Sequence, residues 1–486
     1  MPRKRHPPFR IYLAAGVILA SLFVLEFARK DVVIRQFTLG QTPATEYATD
    51  TSDGPVVIVA HGFAGSQQMM QGYALPLARA GYRVVTFEFY GHGRHPIPMS
   101  GDVTSADGTT RLLVDQTRGM IDAMALQDQK IALIGHSMAT DILVRAAETR
   151  SDIGPVVLLS AFSQVIDSDT PDTLLLVTGA WEPGLRGFAQ EALQMVHTGA
   201  SEGQTVTKGA ITRRAVAAPF SEHVSVLHSR VARSETLKWL DQAYGRTSDV
   251  AILPSGWAIL GLLAGLVLIF RPIASMLPKR HHTSVTLSPK KLAVILATPA
   301  IVTPLIAIPL APEFLPVLIA DYLGLHLMVF GVIQLALLRL WGVTSGRIAP
   351  IGFCLLVLWC VIFGAALDRY AANFWPIPQR LWIIAVLMIG AVPYMIADAT
   401  LTAQAGFLKR LCTRMAFLIS LGIAVAFDFQ GLFFLIMIAP VLVLFYIVFG
   451  TMGRDVAARS GALTSGLALG LMLAWALGVS FPLFQT

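Results

Sequence analysis

Charge is the scarcest commodity in this chain. Only 14% of its 486 residues are Asp, Glu, Lys or Arg, while 55% are hydrophobic, against about a quarter charged in an ordinary soluble domain. A water-soluble fold could not bury that much apolar surface, and a disordered chain would need the opposite balance. Three cysteines exclude a disulfide scaffold, and no cluster of metal-ligand residue types stands out, so no cofactor or metal is implied. What the chain does have is long apolar runs, which require a membrane.

The formal charge of +7 hides two unlike parts. Residues 31–249 hold 17 basic and 23 acidic side chains, and the remainder holds 20 and 7. An acidic, soluble-looking domain is thus set into a basic membrane protein. The basic excess flanks apolar spans, where it orients helices, and nucleic acid is not an expected partner.

Residues 1–30 read as a basic tail followed by an apolar run at 10–28. No small-x-small cleavage site follows it, so an uncleaved anchor is expected rather than a signal peptide. Residues 250–486 carry eight further apolar runs, near 250–270, 292–311, 314–338, 348–367, 381–400, 411–428, 431–450 and 460–482. With the N-terminus inside, the short loops on the inner side hold 16 Lys and Arg and the outer side four, Arg29, Lys30, Arg369 and Arg380. That bias predicts a cytoplasmic N-terminus and places residues 31–249 outside, as in the periplasm beyond a bacterial inner membrane. The third run has Pro299, Pro304 and Pro309, which predict a bent or re-entrant segment.

Between 31 and 249 the pattern becomes short β-branched runs at 56–60, 83–89, 130–135, 155–160, 173–178 and 211–218, separated by helical stretches at 66–80, 108–126, 138–150 and 229–244. This alternation predicts a mostly parallel sheet covered by helices. The run IALIG leads into GHSMAT, placing Ser137 at a strand-to-helix turn. VVIVAHGFAGS places His61-Gly62-Phe63 after an earlier strand, TLLLVTGAWEP ends a strand near Glu182, and His223 follows the last strand in PFSEHVSVLHS.

These segments together resemble the α/β-hydrolase family, over residues 33–245. GHSMA is similar to its GxSxG nucleophile elbow, with Ala139 in place of the last glycine, and the FEFYGHGRH stretch resembles its GHGxS segment with His95 for serine. The resemblance implies an α/β-hydrolase fold and a serine hydrolase, while the α-helical transmembrane bundle expected beside it rests on the apolar runs alone. Ser137 would be the nucleophile, His223 the base and Glu182 the orienting acid, with the N–H groups of Phe63 and Met138 as oxyanion donors. His228, Glu222, Asp152, Asp167, Asp169 and Asp172 are weaker alternatives for the base or acid.

Only a dozen residues join the strands between which the family often inserts a lid, so the site is expected to be open, or roofed by the bilayer surface and segment 184–210. An acyl-ester or lipid-like substrate follows as an expectation, with membrane lipids as partners. Peptidase and thioesterase chemistry stay open. The competing reading is a transporter or lipid-handling protein whose soluble domain binds or gates. In the apolar part, Asp321, Asp368 and Asp428 are expected as interfacial anchors, Asp398 near the inner interface, and His326 within its span. His281 and His282 need no metal, and Cys354, Cys360 and Cys412 are expected as small apolar fillers.

Overall fold

The computed structural model describes residues 8–50, 53–102, 106–126, 129–280 and 287–485. The basic pair His281 and His282 lies outside these residues. Helix α1 (Pro8–Arg29) leads into a nine-stranded sheet of order β1-β2-β4-β3-β5-β6-β7-β9-β8. Its centre is parallel: β3 (Val56–Ala60), β4 (Arg83–Phe87), β5 (Ile131–His136), β6 (Ile153–Leu159), β7 (Thr173–Gly179) and β9 (Ile211–Ala218). β3 and β5 are buried at every position, because helices cover both faces of a parallel sheet and unbroken Val, Ile and Leu runs are what such strands need.

The edges are antiparallel. β1 (Val33–Leu39) and β2 (Thr42–Ala48) form a hairpin beside β4, and β8 (Thr205–Lys208) pairs with β9. The sequence pattern did not suggest these three strands. β1 and β8 are largely exposed and mix polar with apolar residues, and β2 contains Pro43, so no apolar run marks them. Gly40, at φ +58°, supplies the turn of the hairpin.

Helices α2 (Gln71–Arg79) and α6 (Arg230–Ala243) cover one face. α3 (Arg111–Met124), α4 (Met138–Ala147) and α5 (Pro183–Gln194) cover the other.

Eight long helices follow or flank this domain in addition to α1: α7 (Ser255–Ala274), α8 (Pro289–Leu310), α9 (Ala320–Leu340), α10 (Pro350–Tyr370), α11 (Pro378–Thr402), α12 (Phe407–Phe427), α14 (Leu435–Ser460) and α15 (Ala462–Ser480), with the single turn α13 (Phe429–Leu432) between α12 and α14. Among the described residues nine helices are long and apolar enough to cross a membrane. α8 runs as one helix through its three prolines rather than turning back.

Glycines allow the closest approaches. A Cβ at Gly265 would stand 2.6 Å from Ile18 of α1, and one at Gly261 2.6 Å from Ser21. The spacing Gly261-x-x-x-Gly265 therefore seats α7 on α1, the two tethers of the sheet domain. Gly466 and Gly470 do the same for α15 against the backbone of α11 at Ile396 and Val392.

Several charged or polar residues of this bundle have partners within the protein. Asp368 accepts from Arg94 of the sheet domain at 2.6 Å and from the Phe374 N–H at 2.9 Å, so it joins the two parts. Asp398 does not reach an interface; it is 2% exposed and lies 3.3 Å from Arg414 on the next helix. Asp428 caps α13 through the Gly431 N–H, and Asp321 accepts from the Leu315 N–H. His326 is held between Tyr322 and Ser420. Of the cysteines only Cys360 is buried; Cys354 and Cys412 are exposed on the helix surface.

The two parts are docked by their backbones as well. Met99 and Leu483–Gln485 hydrogen-bond in parallel, the Leu483 N–H donates to the Gly91 carbonyl at 2.8 Å, and buried Arg380 donates to the carbonyls of Gly91, Gly478 and Phe481. The helix ends at this junction are the C-terminal ends of α1, α10 and α15 and the N-terminal ends of α7, α9, α11 and α14.

Candidate active site

The C-terminal ends of β3, β5, β6, β7 and β9 converge on one cavity. Ser137 follows β5 directly and holds φ +53°, the strained geometry that lifts a side chain out of a strand-to-helix turn. The turn is tight enough that a Cβ on Gly135 would lie 3.1 Å from the Ala139 backbone and 2.7 Å from Leu143. This explains why position 135 is glycine and why a residue as small as alanine at 139 suffices.

His223 Nε2 lies 2.8 Å from Ser137 Oγ, and His223 Nδ1 lies 2.7 Å from Glu182 Oε1. Glu182 Oε2 accepts from Ser160 Oγ at 2.7 Å and from the Gly179 N–H at 2.6 Å. Burial pushes the Glu182 carboxyl up, but the hydrogen bonds from His223, Ser160 and Gly179 outweigh it and leave it below the ordinary range. Glu182 is therefore a carboxylate with every nearby donor aimed at it. The imidazole it orients is 44% exposed, leaving Nε2 accessible to a reactant.

Phe63 and Met138 line the same cavity as Ser137. A Cβ on Gly62 would stand 3.0 Å from Ser137 Cβ, so the loop after β3 touches the elbow and only glycine permits it. Behind this loop His61 bonds the Gly62 carbonyl and accepts from the Phe89 N–H, while buried Glu88 lies 3.4 Å from it. The GHG segment after β4 is structural: His95 bonds Thr42 and Ile97, and burial pushes it down to about 4.

The alternatives are placed elsewhere. His228 closes a short turn ahead of α6, not within it, and packs under Gly256 of α7; burial lowers it to about 4. Glu222 caps the same turn through the N–H groups of Val224 and Ser225. Asp152 pairs with Arg150, and Asp167 binds the N–H groups of Asp169 and Thr170.

Two neighbours escaped the sequence reading. Ser160 follows β6 at φ +51° and reaches Glu182; its position at the end of an apolar strand was the available signal. His136 donates from Nε2 to the His223 carbonyl at 2.7 Å. Burial first of all holds its imidazole down to about 4, hence neutral.

The roof also differs from expectation. The cavity, about 460 Å³, is walled by Met99, Thr109, Thr110 and Leu113, by Leu185 of α5, and by Phe434 at the start of α14. Segment 184–210 thus contributes a single wall residue, and the helical bundle itself contributes part of the cover.

Residues 55–202 match the family described as alpha/beta hydrolase fold. The sheet domain has the α/β-hydrolase fold. An epoxide hydrolase of Caballeronia sordidicola is 24% identical over 119 residues, which are 24% of this chain and 34% of that protein. The chain therefore spans about a third of the length of that relative. Among solved structures, a predicted CIB-like hydrolase from Thermoplasma acidophilum shares 13% identity with a TM-score of 0.34, covering 43% of this chain and 98% of its own. An epoxide hydrolase from an endophytic Streptomyces shares 26% identity with a TM-score of 0.23, covering 27% of this chain and 38% of its own. In each case more than half of this chain is left uncovered.

Proposed function

We propose that this protein is a membrane-integrated serine hydrolase of acyl esters, working through an acyl-Ser137 intermediate. The observation that carries the reading is the unbroken line from Ser137 Oγ to His223 Nε2 at 2.8 Å and from His223 Nδ1 to Glu182 at 2.7 Å. Neutral His223 takes the Ser137 proton as Oγ attacks the carbonyl carbon. The carbonyl oxygen becomes an oxyanion beside the N–H groups of Phe63 and Met138, each such donor supporting ~3 kcal/mol of transition-state stabilisation. His223 then protonates the departing alcohol. Water, deprotonated by the same imidazole, attacks the acyl carbon and releases the carboxylic acid and free Ser137.

The relatives' epoxide chemistry fits this elbow poorly. Opening an epoxide with a serine oxygen leaves an ether, which water does not cleave under His catalysis, whereas an acyl ester of serine is readily hydrolysed. Membrane placement rests on the nine apolar helices and on the charge bias of their loops, with the hydrolase domain on the outer side.

Reaction of the detergent-solubilised protein with a fluorophosphonate probe tests the proposal. Labelling that disappears in Ser137→Ala supports it. A correctly folded protein that is never labelled and cleaves no ester or thioester points instead to a binding or transport module.

A further inference from the structure

The cavity above Ser137 does not end in solvent on every side. Phe434 lies between it and a second, narrow and partly open apolar gap of about 10 Å³ bounded by Leu318, Ile319, Phe434, Met437, Phe481 and Phe484. These residues come from the N-terminal end of α9, the first turn of α14 and the segment after α15. Phe63 and Phe434 border both spaces, their ring centroids 5.8 Å apart. The partition is therefore one pair of aromatic rings.

On the far side of Phe434 the aromatic contacts continue outward, Phe434 to Phe433 at 5.9 Å and Phe433 to Phe429 at 5.6 Å. Phe429, Phe433, Ile436 and Met437 are exposed on apolar helices, at the surface that would meet the hydrocarbon layer. Large apolar side chains beside a catalytic cavity, continuous with a lipid-facing surface, are what a substrate arriving from the bilayer would need.

The wall is built to hold a fixed shape. Asp428 caps the turn before Phe434 through the Gly431 N–H, and a Cβ at Gly431 would fall 2.4 Å from the carboxylate and displace that cap. Ile319 sits at φ +56°, a conformation a β-branched residue adopts only under constraint, and it lines the gap. Backbone strain of this kind concentrates where a ligand is clamped.

Resting on the serine-hydrolase reading above, we infer that the substrate is a long-chain acyl ester whose hydrocarbon chain runs from Ser137 past Phe434 into the gap between α9, α14 and the C-terminal segment. The helical bundle then supplies the acyl-binding wall of the enzyme, and the chain enters as the Phe434 and Met437 side chains turn aside and widen the narrow gap over a fixed backbone. Access is from the membrane, and the leaving group stays on the open side near His223.

The test measures kcat/KM of the full-length protein in detergent for a series of esters with acyl chains of four to sixteen carbons. Met437→Trp and, independently, Leu318→Trp fill the gap. Each is expected to lower the long-to-short ratio of kcat/KM at least tenfold. Phe434→Ala should shift the ratio the other way, towards the longest chains. Labelling of Ser137 by a small fluorophosphonate reports whether the site itself is intact. Labelled Trp variants whose ratio equals that of the unsubstituted protein overturn the inference while leaving the hydrolase standing; an unsubstituted protein that is never labelled removes both.

Discussion

His136, the residue before the nucleophile, donates from its Nε2 to the carbonyl oxygen of His223 at 2.7 Å. One strand end therefore carries Ser137 and also holds the loop bearing the base, so the two reacting side chains share a support. His136→Leu is expected to lower kcat about tenfold with little change in KM, the loss of one buried hydrogen bond being worth roughly 1–2 kcal/mol. His136→Gln, which keeps a donor, should recover part of the rate. Steady-state kinetics on a soluble ester distinguishes the two variants; equal rates for both would show that the bond positions nothing.

Glu182→Gln carries a sharper consequence. Ser160 Oγ and the Gly179 N–H both aim donors at Oε2, so an amide here must turn its oxygen towards them and its NH2 towards His223 Nδ1. That orientation forces the proton onto Nε2 and removes the base. The expected loss in kcat is on the order of 10³–10⁴-fold, whereas Ser160→Ala should cost about tenfold or less. If Glu182→Gln retains most of the rate, another carboxylate orients His223.

Stability should fall in acid. His95 and His136 are held neutral by burial with values near 4, and His92 is held well below its ordinary value by burial and by His61 nearby. In the unfolded chain these imidazoles take up protons below about 6.5, which the folded protein refuses until much lower pH. The unfolded state thus binds more protons between about 6.5 and 4, and stability is complete above that window and declines through it. The slope is about 1.4 kcal/mol per pH unit for each histidine. Denaturant unfolding of the detergent-solubilised protein at pH 7.5, 6, 5 and 4 measures it; a flat profile would mean that these rings are not buried.

Gly135→Ala places a methyl group 2.7 Å from Leu143 Cδ1 and 3.1 Å from the Ala139 backbone. Overpacking of this sort costs roughly 1–3 kcal/mol and shifts Ser137 relative to His223. Activity and thermal stability should both drop. Leu143→Ala in the same chain should restore part of the activity, because it removes the closer contact while the backbone contact persists. No relief from Leu143→Ala would place the cause in the backbone alone.

Arg94 and Asp368 meet at 2.6 Å across the junction of the two parts, with both side chains partly buried. A double-mutant cycle with Arg94→Ala and Asp368→Ala should give a coupling of roughly 1 kcal/mol. The readout is the denaturant midpoint for loss of ester hydrolysis in detergent. A coupling near zero would show that the junction is held without this pair, by its other contacts, among them Arg380 with Gly91 and the backbone pairing of Met99 with the C-terminal segment.

The central strands were legible because a parallel strand buried on both faces must be written as a continuous apolar run, as in VVIVA and IALIG. The β1–β2 hairpin and β8 were not, since edge strands answer to one buried face and tolerate residues such as Pro43 and Gln36. The apolar helices were equally legible, because an unbroken run of about twenty apolar residues is visible in the sequence and is long enough to cross a bilayer. Their interior pairs were not: Asp398 looked like an end-of-span residue until Arg414 on a neighbouring helix supplied its partner.

At the candidate site, Ser137, Glu182 and His223 stood out because their strand-end positions and chain order resemble the α/β-hydrolase pattern, and the small residues at the elbow are a local property of the sequence. What stands around them was decided by packing between segments hundreds of residues apart. His136 reaching His223, Ser160 completing the shell of Glu182 and Phe434 closing the cavity over Phe63 all depend on which surfaces meet. A linear sequence specifies the pattern each element presents to its neighbours, and only the folded chain determines which neighbour it finds.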